Sequence, residues 1–467
     1  MKKTTLLLIA VFITLSAFTV YNYQCVNLPA SLYNYANIPF PTDVINNLPD
    51  MDNMPSTNIT TDAGATLGRV LFYDVDLSRN HTISCSSCHK QQFSFADSAK
   101  FSVGWNGGHT KRNSMGLVHV RFHRDGAMFW DLRAATLEDQ VLMPIQDSVE
   151  MGLNLDTLVS RVSAKSFYSS LFQAAFGSTD VTAQKISFAL AQFVRSINTF
   201  NSKYRIGVNT TNGNPSTTPF ANFTAQENLG KNLFMDVNRG NCQSCHTRNV
   251  FVPQGAQNIG LDLNYVDNGV GQATGQPNKN GKFKVPSLIN IAYTAPYMHD
   301  GRYKTLMQVI NFYSDSIKPH VNLSHFLIDS TTGLPRKPHY TLTEKRALVA
   351  FLKTLTDQTV LSTKWKNPFC VTSNRIELDP VLSFNLQRNP IAANEIPMIN
   401  ILGSKDYAVT VNIYSLDGRK IYQKNFEITD GTNSVQLTDA KLPEGIFIVQ
   451  LASGSETAST QKLVVTL

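Results

Sequence analysis

Leu67-Gly-Arg-Val-Leu-Phe-Tyr-Asp74, followed shortly by Cys85-Ser-Ser-Cys-His89, is the stretch that decides the architecture, because the chain writes it twice. The second copy reads Leu229-Gly-Lys-Asn-Leu-Phe-Met-Asp236 and then Cys242-Gln-Ser-Cys-His246. Each copy puts an apolar, helix-compatible segment ahead of a Cys-x-x-Cys-His pentad. A repeat on this scale is too long for a solenoid unit and implies two related domains.

A porphyrin accounts for the pentads. Two thiols three positions apart can add across its two vinyl groups, and the adjacent imidazole is then placed to ligate the iron. Zinc ribbons bring their cysteine pairs within about twenty residues of each other. These pairs stand far apart, each with its own histidine. A thioredoxin-type redox pair would need an alternating strand–helix pattern that the chain lacks. The reading is two covalently bound haem c groups, held by Cys85, Cys88 and His89 and by Cys242, Cys245 and His246, with His89 and His246 as iron ligands.

The chain of 467 residues is long enough for two or three domains, and its net charge of +7 is mild. Lys and Arg are scattered rather than gathered into a patch, which argues against a nucleic-acid partner. Lys2 and Lys3, the apolar run Leu6–Leu15, and the small residues Ser16 and Ala17 predict a signal peptide over residues 1–22. An uncleaved anchor is the alternative, although the run is short for a bilayer span. No later segment suits a membrane, so the mature protein is expected to be exported and soluble. Outside the pentads only Cys25 and Cys370 remain, and the sequence leaves open whether they pair.

Ala183–Ile197 places Ile186, Leu190, Phe193, Val194 and Ile197 on one helical face. Asn209–Thr218 reads as a polar linker, and Thr224 with Glu227 forms the start signal of a helix. Past Cys370 come short strand-like runs at Val409–Tyr414, Arg419–Phe426, Ser434–Leu437, Ile446–Leu451 and Gln461–Leu467, with turns at Asp417-Gly418 and Asp430-Gly431. The expected fold is mainly α: cytochrome c-like haem domains over residues 27–208 and 219–372, then a small all-β sandwich over residues 383–467. Asn389-Pro390, Tyr414–Arg419, Leu442-Pro-Glu-Gly-Ile-Phe447 and the terminal Lys462-Leu-Val-Val resemble the sorting domain of type IX secretion substrates. That resemblance implies export to the periplasm, the cell surface or beyond; an ordinary carbohydrate-binding or spacer sandwich is the alternative.

Phe129–Gly152, Arg112-Asn-Ser-Met115, Lys284-Val-Pro-Ser-Leu288 and Thr294-Ala-Pro-Tyr-Met-His-Asp-Gly301 closely resemble the bacterial di-haem cytochrome c peroxidases and the related MauG proteins. The resemblance runs from about Asp62 to Leu355. It implies reduction of hydrogen peroxide to water with electrons from a small cytochrome c or cupredoxin, and a homodimer. Glu150 falls on the distal glutamate, Gln140 on the distal glutamine, and Trp130 on the tryptophan between the haems. The chemistry is apt, since heterolysis of peroxide needs a base to carry a proton from one oxygen to the other. Gln140 can hydrogen-bond the bound peroxide.

The resemblance also assigns a calcium ion to Asn113, Thr294 and Pro296, through one side-chain oxygen and two carbonyls, which suits a hard cation. Counting from His299 puts Tyr313 at the sixth ligand of the second iron, where the peroxidases carry methionine and MauG proteins tyrosine. Met298 and Met307 are the competing candidates. Leu132 stands where the family has glycine and Ile289 where it has arginine. His109 is offset from the histidine that caps the first haem in many relatives, and reads as solvent-facing. The alternatives to peroxide reduction are a MauG-like oxidase acting on a protein or organic substrate and a plain electron-transfer cytochrome.

Overall fold

The computed structural model describes residues 26–466 except 124, 247–249, 253–254, 371–381, 394, 404–405, 416–418 and 454–455. The expected signal peptide, Cys25, Thr372 and the Asp417-Gly418 turn lie outside the described residues. The chain forms two compact units, one ending at Cys370 and the other beginning at Val371. Cys370 is disulfide-bonded, while the four pentad cysteines are free thiols.

Four helices frame the first unit: α1 (Asp62–Tyr73), α2 (Ala183–Arg195), α3 (Ala225–Met235) and α4 (Leu342–Lys353). Each starts on a threonine whose hydroxyl accepts a backbone N–H three residues on, and Glu227 and Glu344 complete capping boxes at α3 and α4. The repeated Leu-Gly has a physical reason. A Cβ on Gly68 would lie 1.9 Å from the Ala189 carbonyl oxygen and 2.8 Å from Phe193 Cβ, and a Cβ on Gly230 would meet Ala347 and Phe351 at the same two distances. Glycine therefore lets α1 cross α2, and α3 cross α4, at backbone contact. Phe193 and Phe351, both fully buried, belong to one hydrophobic core that runs through both halves of the unit.

The expectation of a mainly α protein is met only in part, since 34% of the chain is helical. Each pentad occupies a single helical turn, and long irregular segments, such as the one from Lys100 to Thr136, do much of the packing. A two-stranded ribbon, β1 (Ala256–Gln257) with β2 (Phe283–Lys284), joins them. The stretch read as a linker is partly structured: the Lys203–Thr210 helix enters it, and Lys231 Nζ donates to the Pro215 and Thr218 carbonyls at 2.8 and 2.6 Å.

The second unit is a β-sandwich. Strands β3 (Ser383–Leu386), β5 (Met398–Gly403) and β8 (Gly431–Gln436) form one sheet in the order β3-β5-β8. The other runs β4-β10-β9-β6-β7, from β4 (Ile391–Ala392), β6 (Tyr407–Ser415), β7 (Lys420–Ile428), β9 (Gly445–Ser453) and β10 (Glu456–Thr466). Alternate residues such as Ile399, Ile401, Val411, Ile413, Val449 and Leu451 fill the space between the sheets. Strands β3 to β5 escape the sequence reading, although Met398-Ile-Asn-Ile-Leu alternates as a half-buried strand should.

Candidate functional site

Cys85–Cys88 forms one helical turn capped by Ser84 and Ser87, and His89 follows at its C-terminal end. The His89 Nδ1 lies 2.8 Å from the Phe95 carbonyl oxygen, which can only accept. Burial lowers the pKa of this imidazole, so it is neutral with its proton on Nδ1, and Nε2 keeps a lone pair for a metal. Cys242–Cys245 repeats the turn, entered through Asn241 in the left-handed conformation. His246 is buried against the Pro286 carbonyl, its Nδ1 has no hydrogen bond, and burial pushes its pKa down to about 4. Paired free thiols followed by a neutral imidazole are the donor set of a covalently attached haem, and the residues fit that group twice.

Beside Cys88 and His89 opens a cavity of about 830 Å³ whose walls include Gln140, Glu150 and Trp130. That is within the usual range of cofactor sites, roughly 300–1,000 Å³. The structure thus brings together three residues that are distant from the pentad in sequence. Gln140 ends a short helix, Leu137–Gln140, whose Glu138 is gripped by the buried Arg195 of α2, with Arg195 Nη2 2.8 Å from Glu138 Oε2. Glu150 sits in a turn organised by Asp147, whose Oδ1 accepts from the backbone N–H of Val149 and Glu150 at 2.8 and 3.1 Å.

Burial first, and then the Asp147 charge, push the Glu150 carboxyl up to about 7, with Arg133 opposing. Burial chiefly raises the Cys85 and Cys88 thiols, to about 12 and about 11, and the Glu150 charge adds to both. The carboxylate therefore lies within electrostatic reach of the Cys85–Cys88 turn. Asp147 and Arg133 were not singled out in the sequence; the only available signal was their nearness to Glu150 and Trp130. Trp130 is buried edge-on to His299, with ring centroids 6.4 Å apart. Leu132, where the resemblance expects glycine, holds the left-handed backbone that favours glycine, at φ 57°. His109 is exposed and stands at the cavity wall.

Asn113, Thr294 and Pro296 meet around a small cleft of about 50 Å³ that Trp130 also lines. Asn113 Nδ2 donates to the Ala99 and Lys100 carbonyls at 3.1 and 3.3 Å, which turns its amide nitrogen away and leaves Oδ1 for a cation. Tyr313 lies in a π-helical turn, Phe312–Ser316. Burial first, then the Cys245 and Cys242 sulfurs, raise its phenol far above the ordinary range. The phenol thus lies within electrostatic reach of the second pentad. Met298 packs in the same cluster, with Tyr265 and Tyr303.

A repeat whose halves each carry a Cys-x-x-Cys-His turn fits the class of di-haem c-type oxidoreductases. The chain belongs to the di-haem cytochrome c peroxidase family, whose family model matches residues 62–211 and 224–359. Residues 389–466 match the secretion system C-terminal sorting domain, a type IX sorting tail that marks the chain for export. Among the described residues no helix is long and apolar enough to cross a membrane.

Among curated relatives, the methylamine utilization protein MauG of Paracoccus denitrificans is 33% identical over 362 residues, covering 64% of this chain and 89% of its own. The cytochrome c551 peroxidase of Nitrosomonas europaea is 30% identical over 297 residues, covering 62% and 79%. A crystal structure of a MauG-like protein associated with microbial copper homeostasis superposes with a TM-score of 0.60 at 30% identity, over 73% of this chain and 99% of that one. The diheme peroxidase BthA of Burkholderia thailandensis shares the fold, with a TM-score of 0.54 at 23% identity, over 67% and 89%.

Proposed function

We propose that the protein reduces hydrogen peroxide to water at the Cys85–His89 haem, with electrons delivered one at a time through the Cys242–His246 haem from a small cytochrome c or cupredoxin. The observation that carries this reading is Glu150, a half-buried carboxyl raised to about 7 that lines the same cavity as Cys88 and His89. Haem c, when bound, supplies an iron that takes up peroxide and exchanges electrons.

The chain's own residues do the rest. Glu150 accepts a proton from one peroxide oxygen and returns it to the other, so that the O–O bond breaks with water as leaving group. Gln140 orients the peroxide by a hydrogen bond. Two protons and two electrons then complete the conversion of one peroxide to two waters. Trp130, buried between the two halves, is the oxidisable bridge for those electrons. A calcium ion on Asn113, Thr294 and Pro296 would hold the segments on either side of it.

A MauG-like oxidase is the second reading, and Tyr313 favours it. A phenol desolvated in this way ionises only against a cation, and as a phenolate Tyr313 would stabilise the ferric state of a haem held by His246. Such a second haem is suited to storing oxidising equivalents taken from another protein or an organic substrate. Stopped-flow mixing of the di-haem protein with peroxide, with and without reduced cytochrome c, separates the readings. Rapid turnover with the cytochrome supports the peroxidase. A long-lived oxidised state that cytochrome c does not discharge supports the oxidase. No reaction with peroxide at all sinks both and leaves an electron-transfer cytochrome.

A further inference from the structure

Lys284 is 5% exposed, yet it lines the cavity beside the first pentad. It stands on β2, in the second half of the repeat, and its backbone N–H donates to the Trp130 carbonyl at 2.7 Å. Its ammonium has three protons to donate. One goes to the Ala127 carbonyl at 3.1 Å, and Met128 Sδ lies 3.6 Å away. The remaining capacity has no acceptor among the described residues. Asp125 is the carboxylate whose charge it feels, but that side chain is exposed and forms no ion pair with it.

The other cations of this cavity differ. Arg112 is already held by two carboxylates, Asp267 at 2.7 Å and Asp131 at 2.6 Å. Arg133 pairs with Asp131 at 2.9 Å and lies over the Phe129 ring. Lys111 is exposed to solvent. A buried ammonium without an anion is costly, and the cost falls when a carboxylate is supplied inside the site. The group that the pentad implies brings two carboxylates, its propionates, on the edge away from the thioether bonds.

We propose that Lys284 is a carboxylate-binding residue, its ammonium taking a propionate of the haem attached at Cys85 and Cys88. This rests on the haem assignment of that pentad. Lys284 would then tie the first haem to the second half of the repeat and to the Trp130 backbone, and it would place a positive charge beside that haem. A neighbouring cation opposes the ferric state, so Lys284 is a positioning residue that also raises the potential of the first haem.

The test uses the di-haem holoprotein and the variants K284Q and K284R, read by resonance Raman spectroscopy and by spectroelectrochemical titration of each haem. In K284Q the propionate bending mode of the first haem shifts and its midpoint potential falls. In K284R both stay near wild type, and the second haem is unchanged in either variant. A K284Q protein with both haems attached but an unmoved propionate mode and potential overturns the proposal. Should K284Q not accumulate, wild-type protein transferred to D₂O decides the matter. A shift of that propionate mode supports a donor on the carboxylate, and an unmoved mode overturns the assignment.

Discussion

The indole N–H of Trp130 donates to the backbone carbonyl of Asn113 at 2.8 Å, and the Asn113 side chain opens onto the cleft shared with Thr294 and Pro296. A cation in that cleft would therefore be one residue away from fixing the tryptophan. We expect one equivalent of calcium in purified protein, and Asn113→Ala to weaken its binding roughly tenfold or more, since ligand number sets calcium affinity. Chelation should also slow electron exchange between the haems. Elemental analysis finding no calcium, or chelation leaving exchange unaltered, would remove the site.

Glu150, raised to about 7, works as a base only when ionised, so the peroxide reaction should accelerate as pH rises through about 7. Its effect on stability has the opposite sense. Because the folded pKa lies above the unfolded one, the favourable contribution is complete below about 4.3 and is lost as pH rises through 7. Glu150→Gln should slow peroxide cleavage by roughly a hundredfold or more and flatten both profiles. Unchanged turnover in that variant would take Glu150 out of the mechanism.

Tyr313→Phe removes a phenol that the π-helical turn holds near the sulfurs of the second pentad. We expect the ferric spectrum of the second haem to change and its potential to rise. A far-red sulfur-to-iron charge-transfer band in the wild-type ferric protein would instead assign methionine and sink the tyrosine.

The two helix crossings tolerate no side chain. Gly68→Ala and Gly230→Ala each push a methyl into a carbonyl that stands 1.9 Å from the Cβ position. A loss of at least about 1–3 kcal/mol is expected for either, the scale of overpacking a close-packed interior. Urea titration of the holoprotein reads it, and a variant of wild-type stability would mean that the helices can separate at little cost.

A protein ending at Cys370 keeps the whole core of the first unit and none of the sandwich, which has a separate core of its own. Made in a periplasm, it should carry both haems and react with peroxide, yet fail to reach the surface through type IX export. Failure to bind haem would make the sandwich part of the folding unit.

Much of this protein is legible along the chain because its chemistry is local. Each pentad spans a single helical turn, so its spacing alone brings two thiols and an imidazole together. The capping box of Thr224 and Glu227 is likewise closed within four residues, and the α2 face from Ile186 to Val194 is buried as its period requires. Glu150, Gln140, Trp130 and Tyr313 are marked only by the family resemblance, since their bare residue types read as surface or core. Strands β3 and β5 escape the sequence reading because each is short and precedes the first strong turn signal, Asp417-Gly418.

The sequence by itself determined two Cys-x-x-Cys-His turns, a duplicated helical frame and an all-β tail, since each follows from residues within hydrogen-bonding or packing reach along the chain. Tertiary structure alone decided that Asp147 and burial raise Glu150, that Asn113 meets Thr294 and Pro296, and that Lys284 lies beside the first pentad. Those facts depend on desolvation and on charges from distant segments, which no local pattern encodes. Gly68 joins the two kinds of knowledge: the repeat marks it, but only the Ala189 carbonyl explains it.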